Sequence, residues 1–502
     1  MASGKQFMKK PIVWTIAGVD SSGLAGVHAD METFSRLNVR ACSVITAVTA
    51  QNAHSITAVE AISRDQVAAQ CRALELNLKP DAIKIGMLCS TPICEEIAYF
   101  LKGYEGFVVL DPIITSSSGT NLFFPDLQQH KENLIQLFPY VTIITPNRIE
   151  AEIILNRSIS SYQDIINAAS DLLSLGAKQV LLKGGHVKDN SFSQDYWTDG
   201  KESFWIANRR FPETNYRGTG CVLSSALTAC LALGYSIKDA IVIAKMYVNR
   251  GIRQSIELDK DASQLYHDGW PEDEADLPYL SPTPFIKPVP SFKKCSMGFY
   301  PIVDSSHWLE MLLPLGIKCI QLRIKEASQE RLEEEIKRSV HLANQYNAAL
   351  FINDHWELAI HYGAAGVHLG QEDLEKADVD RINRAGLFLG ISTHCYYEVA
   401  RAHALNPSYV ACGPIYETTS KIMPFQAQGI ARLERWRKTL RYPLVAIGGI
   451  TLKNLSDVLK TKIDGVSVIS AITKASVPLV AAKQFLTQMN ESHNEQIKFG
   501  NE

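Results

Sequence analysis

A short glycine-rich motif followed by a cysteine begins an apolar helical stretch in the first half of the chain. It reads Gly-Thr-Gly-Cys at 218–221, and apolar residues follow as far as about 233. The N–H groups of such a turn point outward and the helix dipole favours an anion, so the motif suits a phosphoryl group in transfer. A thiol at a helix N-terminus has a lowered pKa, which makes Cys221 a candidate base. Taken alone, the motif is more typical of a structural helix cap followed by a small buried cysteine, and only the surrounding motifs favour the catalytic interpretation.

Three polar side chains, Gln321, Arg323 and Lys325, alternate along one strand-like run in the second half. Since alternate residues of a strand point to one face, the three share a face, which is the interior in a closed barrel. Buried cations without anionic partners are costly, so the set predicts a bound anion at the barrel mouth. An exposed edge strand with ordinary surface charges would have the same pattern.

Acidic residues end the next two strand-like runs, at Asn353-Asp354 and in the Gln-Glu-Asp sequence at 371–373. Two carboxylates facing a basic cluster predict a site for Mg²⁺ and a diphosphate. Gly-Gly at 448–449 and Ile-Ser at 469–470 lie toward the ends of the last two strand-like runs, where barrels of this kind bind phosphate.

The first motif belongs to a region in which strands alternate with helices. Strand candidates lie at 12–18, 42–49, 82–87, 107–114, 140–145 and 179–183, with helical stretches such as 64–76 and 162–175 between them. This alternation predicts an open α/β domain with a mostly parallel sheet, to which 196–198 and 203–211 add an antiparallel edge. Ligands of such sheets bind at the carboxyl ends of the strands.

The second half contains eight strand candidates separated by helix-sized gaps. They lie at 298–304, 319–325, 349–354, 366–370, 388–393, 409–414, 444–450 and 465–472. Eight βα units in so short a stretch predict a small closed (β/α)₈ barrel, a TIM barrel, with its chemistry at the carboxyl ends of the strands.

The composition changes after about residue 257. Residues 259–275 are acidic and polar, and 278–290 contains five prolines, which predicts an extended connector. The expected domains are 1–258, a linker at 259–295, a barrel at 296–488 and a polar tail at 489–502.

The bulk composition is that of a soluble globular protein of two or three domains. The chain has 502 residues, 46% apolar and 21% charged, with a net charge of −3. The charge gives no reason to expect a nucleic-acid or membrane partner, and no apolar run approaches the roughly 20 residues that span a bilayer. Ten cysteines without a CxxC pair indicate a reducing compartment, so a cytoplasmic location is expected.

A set of short motifs at the predicted strand ends of the first half occurs in a specific order. They lie at 17–23, 25–30, 50–52, 84–87, 111–112, 145–147 with Glu150, 183–186 and 218–221. In order and spacing they resemble the hydroxymethylpyrimidine/phosphomethylpyrimidine kinases of the ribokinase-like superfamily, over about residues 12–255. The resemblance implies a ribokinase-like fold and phosphorylation by ATP of 4-amino-5-hydroxymethyl-2-methylpyrimidine, and then of its monophosphate.

The same resemblance implies roles for individual residues. Gln51 would hold the pyrimidine, and Asp30 and Met87 would line the same pocket. Cys221 would be the catalytic residue that replaces the aspartate base of sugar kinases. The ATP, phosphate and magnesium side would be formed by Asn147, Glu150, Lys183, Gly218, Thr219 and Gly220. An amide can both donate to and accept from an aminopyrimidine edge, and a carboxylate suits hydrated Mg²⁺.

The sequence departs from the pattern of these kinases in three places. Leu24 replaces a second glycine, Ser116-Ser117 replaces Ala-Lys, and Arg217 replaces a histidine. The missing lysine would have contributed charge near the phosphates, and Arg217 is a candidate to compensate for it.

The second half resembles thiamine-phosphate synthase across residues 298–488. The sequences VHLGQED at 367–373, Ser-Thr-His at 392–394, GPIYETTSK at 413–421 and IGGIT at 447–451 occur in family order. The resemblance implies that the pyrimidine diphosphate is joined to a thiazole phosphate, giving thiamine phosphate and pyrophosphate. Mg²⁺ and basic groups neutralise the pyrophosphate, the aminopyrimidine stabilises the cation left behind, and no protein nucleophile is required.

The resemblance also assigns residues to this second site. The pyrimidine diphosphate would be held by Gln321, Arg323, Lys325, Asn353, Ser392 and Lys421. Asp354 and Asp373 would bind Mg²⁺. The thiazole phosphate would be seated by Thr418, Thr419, Ser420, Gly449, Ile469 and Ser470. Glu417 replaces a usual proline and Ser420 a usual threonine, and the serine keeps the hydroxyl.

Together the halves predict a bifunctional enzyme of thiamine biosynthesis whose first product is its second substrate. Its expected partners are the small-molecule substrates, including ATP, and a homo-oligomer is left open. The alternative is a pyridoxal-type kinase fused to a thiazole tautomerase-like or ligand-sensing barrel. Such a barrel would lack the basic and acidic diphosphate set, which is present here.

Overall fold

The computed structural model describes residues 9–114, 127–184, 191–211, 216–259, 262–286, 289–417 and 426–499, with side chains as far as residue 492. The chain divides into two compact units. The first comprises Met1–Pro271 and Ala275–Lys287, and the second comprises Glu272–Glu274 and Pro288–Glu502. Within the described ranges, no helix is long and apolar enough to cross a membrane.

The first unit is built on a large open sheet. Its strands are β1 Ile12–Asp20, β2 Arg40–Gln51, β3 Ile56–Ala61, β4 Ala82–Ile85, β5 Phe107–Leu110, β6 Ile143–Ile144, β7 Val180–Lys183, β8 Phe192–Thr198, β9 Ser203–Arg209 and β12 Tyr279–Ser281, with β10 Ile256–Asp259 and β11 Ala262–Gln264 as a separate pair. The order in the sheet is β12-β9-β8-β7-β6-β5-β4-β1-β2-β3. The strands from β2 to β7 in that order are parallel, and β3, β8, β9 and β12 are antiparallel to their neighbours. The predicted parallel sheet with an antiparallel edge is confirmed.

Helices cover this sheet. They are α1 Gly26–Arg36, α2 Arg64–Glu75, α3 Thr91–Leu101, α4 Leu127–Ile135, α5 Arg148–Leu155, α6 Tyr162–Ser174, α7 Thr219–Ala232 and α8 Ile237–Arg253. Helix α7 is apolar or small on every side and is buried from Cys221 through Leu231, because it packs between the sheet and the helices α1 and α8. Packing against the sheet places the start of α7 beside the carboxyl ends of β4 and β5.

Part of the predicted connector belongs to the first unit. Tyr279–Ser281 forms β12 and pairs with β9, and Phe285 donates its N–H to Gln194 Oε1 at 2.8 Å. Proline-rich sequence favours extended backbone, and extended backbone beside an open sheet edge satisfies that edge.

The second unit is a closed barrel of eight parallel strands, as predicted. The strands are β13 Gly298–Val303, β14 Cys319–Leu322, β15 Ala349–Asn353, β16 Gly366–Leu369, β17 Phe388–Thr393, β18 Tyr409–Cys412, β19 Leu444–Ile447 and β20 Gly465–Val468. The helices are α9 Ser306–Leu312, α10 Gln329–Gln345, α11 Trp356–Tyr362, α12 Gln371–Lys376, α13 Val379–Arg384, α14 Tyr396–His403, α15 Gly429–Thr439, α16 Leu455–Lys460, α17 Ser470–Thr473 and α18 Pro478–Phe499. The rings of Tyr300, Phe351 and Tyr409 meet edge to face inside the barrel, with centroids 5.4–5.8 Å apart.

Candidate active sites

The Gly-Thr-Gly-Cys motif forms a tight turn at the start of α7. Gly218 has a φ of 76°, and a Cβ there would lie 2.2 Å from the Leu24 carbonyl oxygen, so only glycine fits. Gly218 is the N-cap residue, and because it has no side chain it cannot cap the helix. The first-turn N–H groups of α7 can therefore serve an anion, as the sequence predicts.

An ion pair lies directly against this turn. Lys183 Nζ donates to Asp111 Oδ1 at 2.8 Å, and Thr145 Oγ1 donates to the same oxygen at 3.1 Å. A Cβ at Gly220 would lie 3.2 Å from Lys183 Nζ and 3.5 Å from Asp111 Oδ2. The expected phosphate ligands Lys183 and Gly220 are thus neighbours. Asp111 received no role from the sequence, although its position after an apolar strand was visible there.

Glu150 and Asn147 form a capping box at the start of α5. The Asn147 N–H donates to Glu150 Oε2 at 2.8 Å, and the Glu150 N–H donates to Asn147 Oδ1 at 2.9 Å. Burial raises the pKa of Glu150 to about 8; Lys183 lowers it and Asp111 raises it. Two buried carboxylates near one lysine are oxygen donors of the kind that hydrated Mg²⁺ accepts.

Cys221 lies in the first turn of α7, and its ionisation differs from the prediction. Burial raises the pKa of the Cys221 thiol to about 11, although the nearby Lys84 ammonium lowers it. The expectation of a lowered pKa is therefore wrong, because desolvation of the thiolate outweighs the helix N-terminus. The thiol is protonated at neutral pH.

Asp30 holds Lys84 and has no exposed surface. Its carboxylate accepts from Lys84 Nζ at 2.8 Å, from Thr15 Oγ1 at 2.6 Å and from Ser225 Oγ at 2.6 Å. Both residues of the ion pair have fully buried side chains. That Asp30 lines the pyrimidine pocket stays a prediction. A lysine inside the otherwise apolar β4 was the sequence signal that this pair existed.

Gln51 is the last residue of β2, and Met87 follows β4. The two strands flank β1 in the sheet. Gln51 Nε2 donates to Asp20 Oδ2 at 3.1 Å, and Thr49 Oγ1 donates to Gln51 Oε1 at 3.3 Å, which fixes the orientation of the amide. Met87 packs with Ala47, and a Cβ at Gly18 would lie 2.3 Å from Met87 Cε.

Arg217 bonds to the backbone of the loop that follows β2. Its Nε donates to the Ala53 carbonyl oxygen at 2.7 Å, next to the loop that follows Gln51. The idea that Arg217 compensates for the missing lysine is not supported by this contact. Ser116 and Ser117 lie outside the described residues.

In the barrel, Asp354 and Asp373 face each other. Burial, and then the Asp373 carboxylate within hydrogen-bonding range, raise the pKa of Asp354 to about 6, while Arg323 lowers it. Asn353 Nδ2 donates to Asp354 Oδ2. Among the described residues no group of three His, Cys, Asp or Glu side chains could hold a metal. Two carboxylate donors fit Mg²⁺, which retains water and substrate oxygens as its other ligands.

The basic residues of the barrel lie beyond the strand that was predicted to carry them. β14 ends at Leu322, so Arg323 and Lys325 belong to the segment that follows it, and Lys325 is exposed. Gln321, by contrast, is buried in the barrel interior. Closure of the barrel excludes the exposed edge strand as an explanation of this pattern.

Three of the residues expected to seat the thiazole phosphate, Gly449, Ile469 and Ser470, follow β19 and β20. Gly449 has a φ of 67°, and a Cβ there would lie 2.5 Å from the Glu417 carbonyl oxygen. Ile469 and Ser470 begin α17 after β20. Thr418, Thr419, Ser420 and Lys421 lie outside the described residues.

Comparison with known proteins gives each unit a family. A phosphomethylpyrimidine kinase family model matches residues 20–265, and a thiamine monophosphate synthase family model matches residues 299–472. Thiamine biosynthetic bifunctional enzyme TH1, chloroplastic, from Arabidopsis thaliana is 30% identical over 98% of this chain and 95% of its own length.

Two further relatives each match one unit. Thiamine-phosphate synthase from Photorhabdus laumondii is 51% identical over 38% of this chain and 88% of its own length. The structure of Staphylococcus aureus pyridoxal kinase in complex with AMP-PCP matches with a TM-score of 0.50 and 28% identity, over 54% of this chain and 98% of that one.

Proposed function

This chain belongs to the bifunctional enzymes of thiamine biosynthesis, and from that premise we propose how its residues carry the two activities. The first unit is a phosphomethylpyrimidine kinase and the second a thiamine-phosphate synthase. The kinase would use ATP to phosphorylate 4-amino-5-hydroxymethyl-2-methylpyrimidine and then its monophosphate. The synthase would use the resulting diphosphate, so that the product of one site is the substrate of the other.

The proposal for the kinase rests on the ion pair of Lys183 and Asp111, which lies beside Gly220. The transferred phosphoryl group would lie against the first turn of α7, where Lys183 and the N–H groups take up its negative charge. Asp111 and Glu150 would hold hydrated Mg²⁺, which neutralises phosphate charge when bound. Gln51 would position the pyrimidine.

Cys221 follows Gly220 directly and would accept the proton of the attacking hydroxyl group. Its high pKa means that only a small fraction is thiolate at neutral pH, and the Lys84 ammonium stabilises that fraction. A thiolate of such high pKa is a strong base, so the rate of transfer would be limited by the fraction of the protein in which Cys221 is ionised.

In the synthase, Asp354 and Asp373 would hold Mg²⁺, which neutralises the diphosphate when bound. Arg323 and Lys325 would add positive charge, so that pyrophosphate can leave the methylene carbon. Gln321 and Ser392 would hold the pyrimidine diphosphate. The thiazole nitrogen would then attack the cation, with the thiazole phosphate against the backbone of Gly449 and the start of α17.

The decisive experiment supplies hydroxymethylpyrimidine, ATP, Mg²⁺ and thiazole phosphate to the purified full-length protein. Thiamine phosphate and pyrophosphate should appear in equal amounts, and omission of ATP should stop both. Supplying the pyrimidine diphosphate directly should remove the need for ATP. If the pyrimidine diphosphate forms but thiamine phosphate does not, the kinase assignment stands and the synthase assignment is overturned.

A second kinase substrate, pyridoxal, is favoured by the similarity of the first unit to the S. aureus pyridoxal kinase. Competition between pyridoxal and hydroxymethylpyrimidine in the same assay ranks the two substrates. A higher kcat/KM for pyridoxal would make the pyrimidine the secondary substrate.

A further inference from the structure

A continuous chain of hydrogen bonds crosses the interior of the barrel. Gln321 Nε2 lies 2.8 Å from Tyr300 Oη, and Tyr300 Oη lies 2.8 Å from Tyr409 Oη. Tyr409 Oη lies 2.8 Å from His368 Nδ1, and His368 Nε2 lies 2.8 Å from Ser392 Oγ. The chain therefore joins Gln321 and Ser392, the two interior residues proposed to hold the pyrimidine diphosphate, through three residues that have no assigned role.

The middle of this chain is shielded from solvent. Tyr300 is 1% exposed, Tyr409 is 0% exposed and His368 is 6% exposed. A Cβ at Gly390 would lie 2.3 Å from Tyr409 Oη, so a glycine in β17 makes the room that the phenol occupies. Burial raises the pKa of both phenols, so each hydroxyl keeps one hydrogen to donate. Polar groups this deep are costly unless they are paired, and here each is paired with the next.

The orientation of the Gln321 amide sets the direction of the bonds if every hydrogen in this hydrogen-bond chain is paired. Its Nε2 can only donate, so Tyr300 accepts there and donates its own hydrogen to Tyr409. Tyr409 then donates to His368 Nδ1, which leaves the neutral ring with its hydrogen on Nε2. That hydrogen is donated to Ser392 Oγ. The opposite direction would require the Gln321 amide to turn over.

Ser392 is also held through its backbone. Gln371 Nε2 donates to the Ser392 carbonyl oxygen at 2.7 Å. The hydroxyl of Ser392 is thus fixed from one side by His368 and its main chain from another, which leaves the hydroxyl hydrogen as the group free to turn to a ligand.

We propose that Tyr300, Tyr409 and His368 are positioning residues that fix which hydrogen-bonding atoms Gln321 and Ser392 present to the substrate. Gln321 presents its carbonyl oxygen, an acceptor suited to the amino group of an aminopyrimidine. Ser392 presents its hydrogen, a donor suited to a ring nitrogen or a diphosphate oxygen. This chain of hydrogen bonds would thereby select the 4-amino pyrimidine over a 4-oxo analogue, whose oxygen cannot donate a hydrogen bond. This inference rests on the proposed synthase function.

The test compares coupling of the 4-amino and 4-oxo pyrimidine diphosphates by the full-length protein and by Tyr409→Phe. The variant keeps the ring packed against Tyr300 and Phe351 and loses only the central hydroxyl. We expect kcat/KM for the 4-amino substrate to fall by about tenfold and the preference over the 4-oxo analogue to fall by at least about tenfold. A merely structural role would slow both substrates equally and leave the preference unchanged, which would overturn the proposal.

Tyr442→Phe is the matched control. Tyr442 Oη lies 2.9 Å from His403 Nδ1, so this variant removes a phenol from another buried Tyr–His pair of the same unit. Its substrate preference should equal that of the unmodified protein, and an equal loss in both variants would overturn the proposal.

A second pair of variants serves if Tyr409→Phe does not fold. His368→Gln retains one donor and one acceptor and should keep most of the preference, whereas His368→Leu should lose it. Equal preferences in the two variants would show that the hydrogen bonds of His368 do not affect substrate choice, which would overturn the proposal. If the unmodified protein couples neither substrate, the synthase function itself fails, and that result is distinct from a changed preference.

Discussion

The carboxylates of Asp354 and Asp373 lie within hydrogen-bonding range of each other at the carboxyl ends of β15 and β16, where Arg323 also acts on Asp354. Two partly buried carboxylates so placed repel each other when both are ionised. The repulsion is removed by a proton or by a divalent cation. This relationship links the metal proposed for the synthase to properties that can be measured without the coupling assay.

Asp354→Asn should abolish coupling and spare the kinase. The amide keeps the shape of the side chain but loses the charge that would hold Mg²⁺, so we expect coupling to fall at least about 100-fold at millimolar Mg²⁺. Glu372→Gln is the control, because Glu372 is an exposed neighbour in α12. Normal coupling by Asp354→Asn at low Mg²⁺ would contradict the metal assignment.

The same pair should make the stability of the barrel depend on pH and Mg²⁺. The folded pKa of Asp354, about 6, lies above its unfolded value, so the folded state binds more protons in between. The stability contributed by protonation of Asp354 is present at low pH and is lost as pH rises through about 6. Without metal, the unfolding temperature of unmodified protein should therefore fall relative to that of Asp354→Asn between pH 5 and 7.5. Mg²⁺ should raise the unfolding temperature of the barrel more in the unmodified protein than in Asp354→Asn, because the variant lacks one of the two metal-binding carboxylates.

Cys221→Ala should abolish pyrimidine phosphorylation while coupling of supplied pyrimidine diphosphate continues. Because the pKa of the thiol is about 11, its thiolate fraction grows about tenfold per pH unit, and kinase kcat/KM should rise with pH between 7 and 9. Cys230→Ala removes another buried thiol of α7 and should keep both activity and pH profile. Kinase activity retained by Cys221→Ala would remove this residue from its role.

The buried pair of Asp30 and Lys84 should couple strongly in stability. Lys84→Met leaves the Asp30 charge buried without its partner, and we expect it to lower the free energy of unfolding of the first unit by about 3–5 kcal/mol. The double variant Asp30→Asn/Lys84→Met should recover part of that loss. Urea denaturation of the unmodified protein, Asp30→Asn, Lys84→Met and the double variant gives the coupling energy. Strictly additive losses of stability would show that the two charges do not depend on each other.

The barrel should fold and act without the first unit. We propose that a truncated protein of residues 292–502 couples supplied substrates, because the eight strands close on themselves. It lacks Glu274, which accepts a hydrogen bond from the Arg441 N–H at 2.5 Å, so a modest loss of stability is expected. An inactive or insoluble product beside an active full-length protein would show that the domain boundary is misplaced.

Local pattern was enough to predict the strands and helices that build the two sites. The alternation of apolar runs with helical stretches led to both sheets, and the polar motifs after those runs led to Lys183, Glu150, Asp354 and Asp373. Each of these residues follows or ends a strand in chain order, and the carboxyl ends of parallel strands must meet at one edge. Proximity in the fold was therefore implied by position in the sequence.

The sequence by itself determined the two scaffolds, the order of the motifs and the chemical types at each site. Only the tertiary structure decided that Cys221 is protonated, that Asp30 faces Lys84, and that Tyr300 and Tyr409 meet inside the barrel. These properties depend on burial and on distances between residues as many as 195 positions apart, such as Asp30 and Ser225. No local pattern encodes the water that a side chain loses or the partner it gains when distant strands and helices pack together.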